Sequence, residues 1–263
     1  MLESLNYFFR ATPDVVPPQL STGVHLGIVF VWMTVILVMF WRSQNLKNSP
    51  KSDFYLKVIA GAILVDQVII NSWFIGHGIF TLSKQLPLFH CRMAAWMVIL
   101  SVFLKKKKLV LPAIWWGLMG SVITLIISDI YPYNFPHYTN FNFVIMHLNL
   151  GWFAAYYVCA KGYKFPVSDL KKMLVITNFY NVGITVFSLV MRLLGFAETN
   201  YGYMIEPPDH LMFVRNTVGS VGYTLVVWAC YNLAIFCTWL IGKHVLVAMA
   251  NAREKVRIKR LSA

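Results

Sequence analysis

Seven stretches of the chain are apolar over about 20 residues, the length at which an α-helix crosses a hydrocarbon layer of ~30 Å. They cover approximately residues 23–41, 54–76, 87–104, 109–128, 140–160, 173–194 and 219–242, separated by short polar connections. No fixed period marks a solenoid, and no matched pair of broken helices suggests inverted transporter repeats. The pattern therefore predicts an all-α integral membrane protein, a single domain over 1–263 built as a bundle of seven transmembrane helices. Gly117, Ser121 and Thr124, spaced along one face of the fourth span, read as close helix contacts.

Composition agrees with this reading. The 263 residues are 58% hydrophobic and 13% charged, with mean hydropathy +0.62, whereas a soluble domain carries roughly twice that charge density. The net charge of +13 would suggest nucleic acid in a soluble chain, but the cations lie between apolar runs, which removes nucleic acid as a partner. Their distribution instead orients the bundle. Arg42 to Lys57, Lys105 to Lys108, Lys161 to Lys172 and the tail from Lys243 hold 18 of the 23 Lys and Arg. Arg10, Lys84, Arg192 and Arg215 lie on the other side, and Arg92 falls inside a span. This split predicts an outside N-terminus, a cytoplasmic C-terminus with 243–263 as a basic tail, and a multi-pass protein of the cell membrane.

The first 22 residues, with Glu3, Arg10, Asp14 and Pro17-Pro18, lack the apolar core of a cleavable signal. Leu2, Leu5, Phe8 and Phe9 fit a short interfacial helix. All four cysteines lie within apolar runs, which predicts free thiols.

Polar side chains are costly inside a membrane, so those within spans are the place to look for function. Thr177, Asn181, Thr185 and Ser188 recur at steps of 4, 4 and 3, forming one stripe on the sixth span. It fits interhelical hydrogen bonding and a substrate lining equally. Cys91 lies about four residues into the third span, His147 about seven into the fifth, and Asn71 about five from the end of the second. A rise of 1.5 Å per residue puts all three roughly 6–10 Å below one surface. Cys91 is also near a helix start and beside Arg92, which favours a thiolate. His147, arriving from another helix, suits the proton-accepting role better than His90, which projects roughly 100° away from Cys91. By spacing alone this pair is a weak signal.

The remaining candidates point elsewhere. Cys230 and Cys237, like Cys159, read as core residues. No histidine cluster or four-ligand spacing suits a metal, so no metal or cofactor is expected. Asp66 is the costliest buried group, fitting either a proton or cation site or a structural pair with Asn or Tyr.

The order of landmarks resembles the YwaF-type bacterial integral membrane proteins, whose eukaryotic counterpart is transmembrane protein 164. It rests on Leu86-Pro87-Leu88-Phe89-His90-Cys91, Trp116-Gly117-Leu118-Met119-Gly120, Ser128-Asp129-Ile130, Phe135-Pro136-His137 with His147, and Asn200-Tyr201-Gly202-Tyr203-Met204 with Glu206-Pro207. These span roughly residues 25 to 240. The resemblance implies a phospholipid acyltransferase with Cys91 as nucleophile and His147 as its base. One departure is that Phe89 stands where a histidine is expected two positions before the cysteine, with His90 one place later.

The function expected is thus acyl transfer between phospholipid and lysophospholipid through a Cys91 thioester, with Asn71, Asn181, Ser188 and Arg92 binding substrate. Hydrolysis results if water is the acceptor. The alternative is a non-enzymatic transporter or small-ligand-binding bundle in which Asp66, Gln67, Asn71 and the sixth-span stripe line a pathway.

Overall fold

A computed structural model describes residues 2–15, 21–126, 130–208 and 211–261. Pro17-Pro18, and Ser128 and Asp129 of the fourth-span landmark, lie outside the described residues. The described residues contain helices and no strand. A short helix α1 (Leu2–Phe8) precedes α2 (Thr22–Trp41), α3 (Ser43–Asn48), α4 (Ser52–Gly76), α5 (His90–Phe103), α6 (Val110–Ile126), α7 (Tyr138–Cys159), α8 (Val167–Leu193), α9 (Met212–Leu240) and α10 (Val247–Leu261). Seven of these, α2 and α4 to α9, occupy the seven predicted segments.

Five stretches are long and apolar enough to cross a membrane: Thr22–Trp41, Ser52–Gly76, Lys107–Ile126, Val167–Leu193 and Met212–Val256. Their outward faces carry large apolar side chains such as Phe30, Phe179, Val221 and Leu193, the kind of surface that a lipid bilayer covers. The two exceptions have physical causes. At 14 residues, α5 rises about 21 Å, and the rest of its segment is non-helical chain. The other exception, α7, holds Asn140, Asn142, His147 and Asn149 and is buried along most of its length. It packs against α2, α4, α5, α6 and α10, so its polar side chains meet other helices and not lipid.

Two expectations need correction. The third helix starts at His90, not Pro87. Tyr180 Oη donates to the Leu88 carbonyl at 2.9 Å, the Leu86 N–H donates to Tyr201 Oη at 3.1 Å and the Leu88 N–H turns back to the Leu86 carbonyl at 2.8 Å, which keeps this stretch bent and non-helical up to Phe89 (φ −75°, ψ 142°). The last helix also does not stop at Gly242. A π-helical segment, Ile241–Leu246, leads directly into α10, whose sequence is rich in strong helix formers. Arg253 Nε ties α10 to the Trp41 carbonyl at 3.2 Å, and Gln44 donates to Glu254.

Close approach of backbones sets the centre. A Cβ on Gly151 of α7 would lie 2.4 Å from Trp32 Nε1 of α2 and 2.5 Å from Ser121 Oγ of α6. Three helices therefore meet where α7 has no side chain, and Ser121 makes the close contact its spacing suggests. Gly151→Ala should destabilise the protein by about 1–3 kcal/mol through overpacking, whereas Gly183→Ala, with open space around the added methyl, should be neutral. Thermal unfolding in detergent checks both.

Candidate active site

The start of α5 is held in place from three sides. Tyr201, fully buried, donates to the Leu82 carbonyl at 2.6 Å and accepts from Leu86, so the α8–α9 loop is pinned over the chain that leads into α5. Asn200 braces the same loop, accepting from the N–H groups of Ile205 and Glu206 at 3.1 and 3.2 Å. Gly202, at φ +66°, leaves no room for a side chain beside Ile184 and Met204. Arg192 clasps Glu206 with both terminal nitrogens at 2.9 and 2.8 Å, which holds that carboxyl below the ordinary glutamate value.

His90, the first residue of α5, is buried. Its ring stacks on Tyr231 with centroids 4.2 Å apart and meets Trp116 and Tyr180 edge-on. Its Nε2 donates to Asn181 Oδ1 at 3.0 Å. With that proton on Nε2, the neutral ring carries its lone pair on Nδ1, which is buried without a partner, as is Asn181 Nδ2. An unpaired buried polar group costs about 1–3 kcal/mol, and Trp32 Nε1 and Ser121 Oγ, which meet at Gly151, are unpartnered in the same way.

Cys91 follows His90, half-buried, as a free thiol. Position 120 of α6 brings it to His147. A Cβ built on Gly120 would lie 2.9 Å from Cys91 Cβ and 4.0 Å from His147 Cδ2, so thiol and imidazole flank the same bare patch of α6 backbone. The His147 Nδ1 is 2.7 Å from the Phe143 carbonyl. A carbonyl only accepts, so Nδ1 bears the proton and the neutral ring keeps its lone pair on Nε2, the atom bonded to Cδ2. A recess of about 10 Å³, lined by His147, His25 and Thr124 among others, adjoins the ring; this is room for about one water.

The other expected site residues divide. Asn181 reaches the group through His90. Ser188 accepts from the Tyr201 N–H at 3.3 Å, and Arg92 donates to the Lys84 carbonyl at 3.0 Å and to Tyr131, so both fasten loops around the site. Asn71 donates to Gln67 O of its own helix at 2.7 Å. The sixth-span stripe faces inward and makes interhelical bonds, with Trp116 Nε1 donating to Thr177 Oγ1 at 2.9 Å. Thr185 bonds back to the Asn181 carbonyl.

Asp66 is paired on both carboxylate oxygens, accepting from Tyr138 Oη at 2.8 Å and Asn142 Nδ2 at 2.7 Å. Cys230 and Cys237 are exposed, which corrects their reading as core. The cause is that α9 buries only Tyr223, Ile235 and Thr238 and turns most of its surface outward. Cys159 is buried, as expected.

Comparison with known families adds one decisive match: the family model for the TMEM164 family covers residues 19–243. The chain belongs to the TMEM164 family. No curated protein matches it, and no solved structure does. The sequence landmarks that open α5 and run through α6 thus lie within the matched part of this TMEM164-family chain, and there Cys91 and His147 both border Gly120.

Sequence reasoning missed Gly120 and Tyr201 as parts of the site. Each stands inside a quoted landmark, Gly120 at the end of Trp116 to Gly120 and Tyr201 in Asn200 to Met204. Only the packing reveals that one admits the thiol and the other fixes the loop over it.

For Asp66, removing the carboxylate should leave Tyr138 and Asn142 without their acceptor. Asp66→Ala should lower stability by about 2–5 kcal/mol, while Asp66→Asn, which keeps one acceptor oxygen, should lose less than half of that. Chemical or thermal unfolding of the detergent-solubilised protein measures the difference.

Proposed function

We propose that this protein is a membrane-embedded acyltransferase that moves a fatty acyl group from a phospholipid to a lysophospholipid through a thioester on Cys91. The observation that supports the reading is that Cys91 and His147 both border Gly120, with the imidazole lone pair on Nε2. His147 accepts the thiol proton, and the Cys91 sulfur attacks the acyl ester carbonyl. The carbon–oxygen bond breaks, the glycerol oxygen leaves with the proton returned by His147, and the acyl group remains on sulfur. A lysophospholipid hydroxyl then gives its proton to His147 and attacks the thioester, releasing the Cys91 thiolate, which regains the proton. Water in place of the lysolipid makes the same centre a lipase, and a hydrophobic centre that holds lysolipid and excludes water favours transfer.

The reading includes seven membrane crossings with the N-terminus outside, supported by the 18 to 4 division of Lys and Arg. The lengths of α5 and α7 suit this if the half-buried chain before His90 completes the third crossing, as non-helical backbone is tolerated at depth where protein covers it. A cysteine introduced at Asn200 should react with an impermeant maleimide in intact cells, while one at Ser168 should stay unlabelled. The opposite pattern overturns the orientation.

Acyl transfer is tested with labelled phospholipid and added lysophospholipid. Cys91→Ser and His147→Ala should each reduce the rate by on the order of 10³-fold or more, and the double variant should be little worse than either, because residues acting as one unit are strongly non-additive. Gly120→Ala should also lose activity, since the added methyl meets Cys91 Cβ, which cannot rotate away. Cys230→Ser should be silent. A covalent acyl adduct on Cys91 by mass spectrometry is the expected intermediate. Full transfer by Cys91→Ser would remove the nucleophile assignment.

A further inference from the structure

At the far end of α6 from Cys91, an open recess of about 710 Å³ lies between the 3-10 turn Lys107–Leu109, the end of α7 and the start of α8. Val110 is ten residues before Gly120 on the same helix, so this recess is roughly 15 Å from the thiol contact along the axis. Its volume falls in the range of small-molecule pockets. Three cations, Lys107, Lys161 and Lys164, ring it, and Val110, Leu111 and Ile114 form an apolar wall.

The recess is also firmly built. Gly162, at φ +71°, lets the chain turn after α7 so that the Tyr163 N–H caps it on the Tyr157 carbonyl at 3.0 Å. Tyr163 Oη accepts from the buried Trp115 indole at 2.9 Å and donates to Asp169 at 2.9 Å. Behind it, Phe165 is fully buried against Gly242, and Trp239 Nε1 donates to the Phe165 carbonyl at 3.0 Å. Lys161 and Lys164 are thus presented by a fixed loop, and Lys107 faces them from the 3-10 turn before α6.

Charge decides the occupant. Asp169 is the one acid among the lining residues, and it is already bonded by Tyr163 and by Lys172 at 3.2 Å. Lys161 pairs with Asp53 at 2.9 Å, but the Asp53 side chain is 82% exposed, and such surface pairs are worth little. The recess therefore carries excess positive charge next to an apolar wall, at a bundle end where a bilayer has its headgroups.

We propose that this recess binds an anionic phospholipid of the adjoining leaflet. Its phosphate sits among Lys107, Lys161 and Lys164, and its glycerol end and upper acyl chain lie on Val110, Leu111 and Ile114. This site is separate from the Cys91 centre and independent of acyl transfer.

The test is native mass spectrometry of the full chain released from detergent with added phosphatidylglycerol or phosphatidylcholine. Phosphatidylglycerol should be retained in preference, and each Lys→Gln change at 107, 161 or 164 should weaken it roughly fivefold. The triple variant should lose about two orders of magnitude, while Lys47→Gln, Lys51→Gln and Lys57→Gln combined, the same charge loss on the same side, should stay near the parent value. Should the triple variant melt early, the three single variants carry the comparison. Equal losses in both triple variants would reduce the effect to diffuse surface charge and overturn the site. So would equal retention of phosphatidylcholine. Displacement by an equal concentration of glycerol 3-phosphate would assign the lysines to free phosphate and overturn the lipid.

Discussion

Burial of one polar helix governs this bundle. The α7 helix carries Asn140, Asn142, His147 and Asn149, groups whose exposure to hydrocarbon would each be costly. The only stable place for it is the middle, where α2, α4, α5 and α6 surround it. Its partners then follow. Asp66 of α4 must face Tyr138 and Asn142 or stay an unpaired buried acid, and Tyr156 reaches the Ser52 carbonyl at 2.8 Å at the other end of the same helix pair. The remaining helices are free to be apolar outside, which is why α2, α8 and α9 bury so little of themselves.

Packing around such a helix needs places where backbones can come close, because lipid tails give no hydrophobic drive for one helix to prefer another. Gly151 and Gly120 supply two of them. At Gly151 the space is filled by Trp32 and Ser121, and the result is structural. At Gly120 it is filled by Cys91 and faced by His147, and the same device places a nucleophile type beside a base type. The two glycines differ in what was brought to the vacancy and not in how it was made.

Much of the architecture was legible because the apolar run length is set by the hydrocarbon thickness, a constraint outside the protein. The positions of all seven long helices follow from it, to within a few residues at most ends. The failures share a cause. Pro87 is a good first residue for a helix, but Tyr180 and Tyr201, distant in sequence, hold the backbone out of the helix until Phe89. Gly242 looks like a helix stop, but α10 finds tertiary anchors at Gln44 and Trp41. The cysteines of α9 read as core because they lie in an apolar run, and in a membrane apolar residues face outward as readily as inward. For the site, residue type and depth were enough to bring Cys91 and His147 forward. Nothing in a linear pattern states that Gly120 lies between them, that His90 would be enclosed by Trp116, Tyr180 and Tyr231, or that Ser188 and Arg92 would hold loops.

The distribution of unsatisfied groups gives the arrangement a direction. Interior polar residues of α7 and the α8 stripe are mostly bonded, as the cost of leaving them unpaired requires. His90 Nδ1 and Asn181 Nδ2 are both left open, on residues bonded to each other, of which His90 is next in chain to Cys91. Pinning of the α8–α9 loop by Tyr201, Asn200 and the Arg192–Glu206 pair fixes these groups in position, so they cannot relax to find partners. The packing thus leaves one donor and one acceptor unmatched on a bonded pair whose histidine precedes the Cys91 thiol in the chain. On the acyl-transfer reading proposed above, the chains of the lipid already lie in the bilayer, so the protein need supply polar contacts only to the ester and headgroup, the part of the molecule where an acyltransferase must hold its substrate.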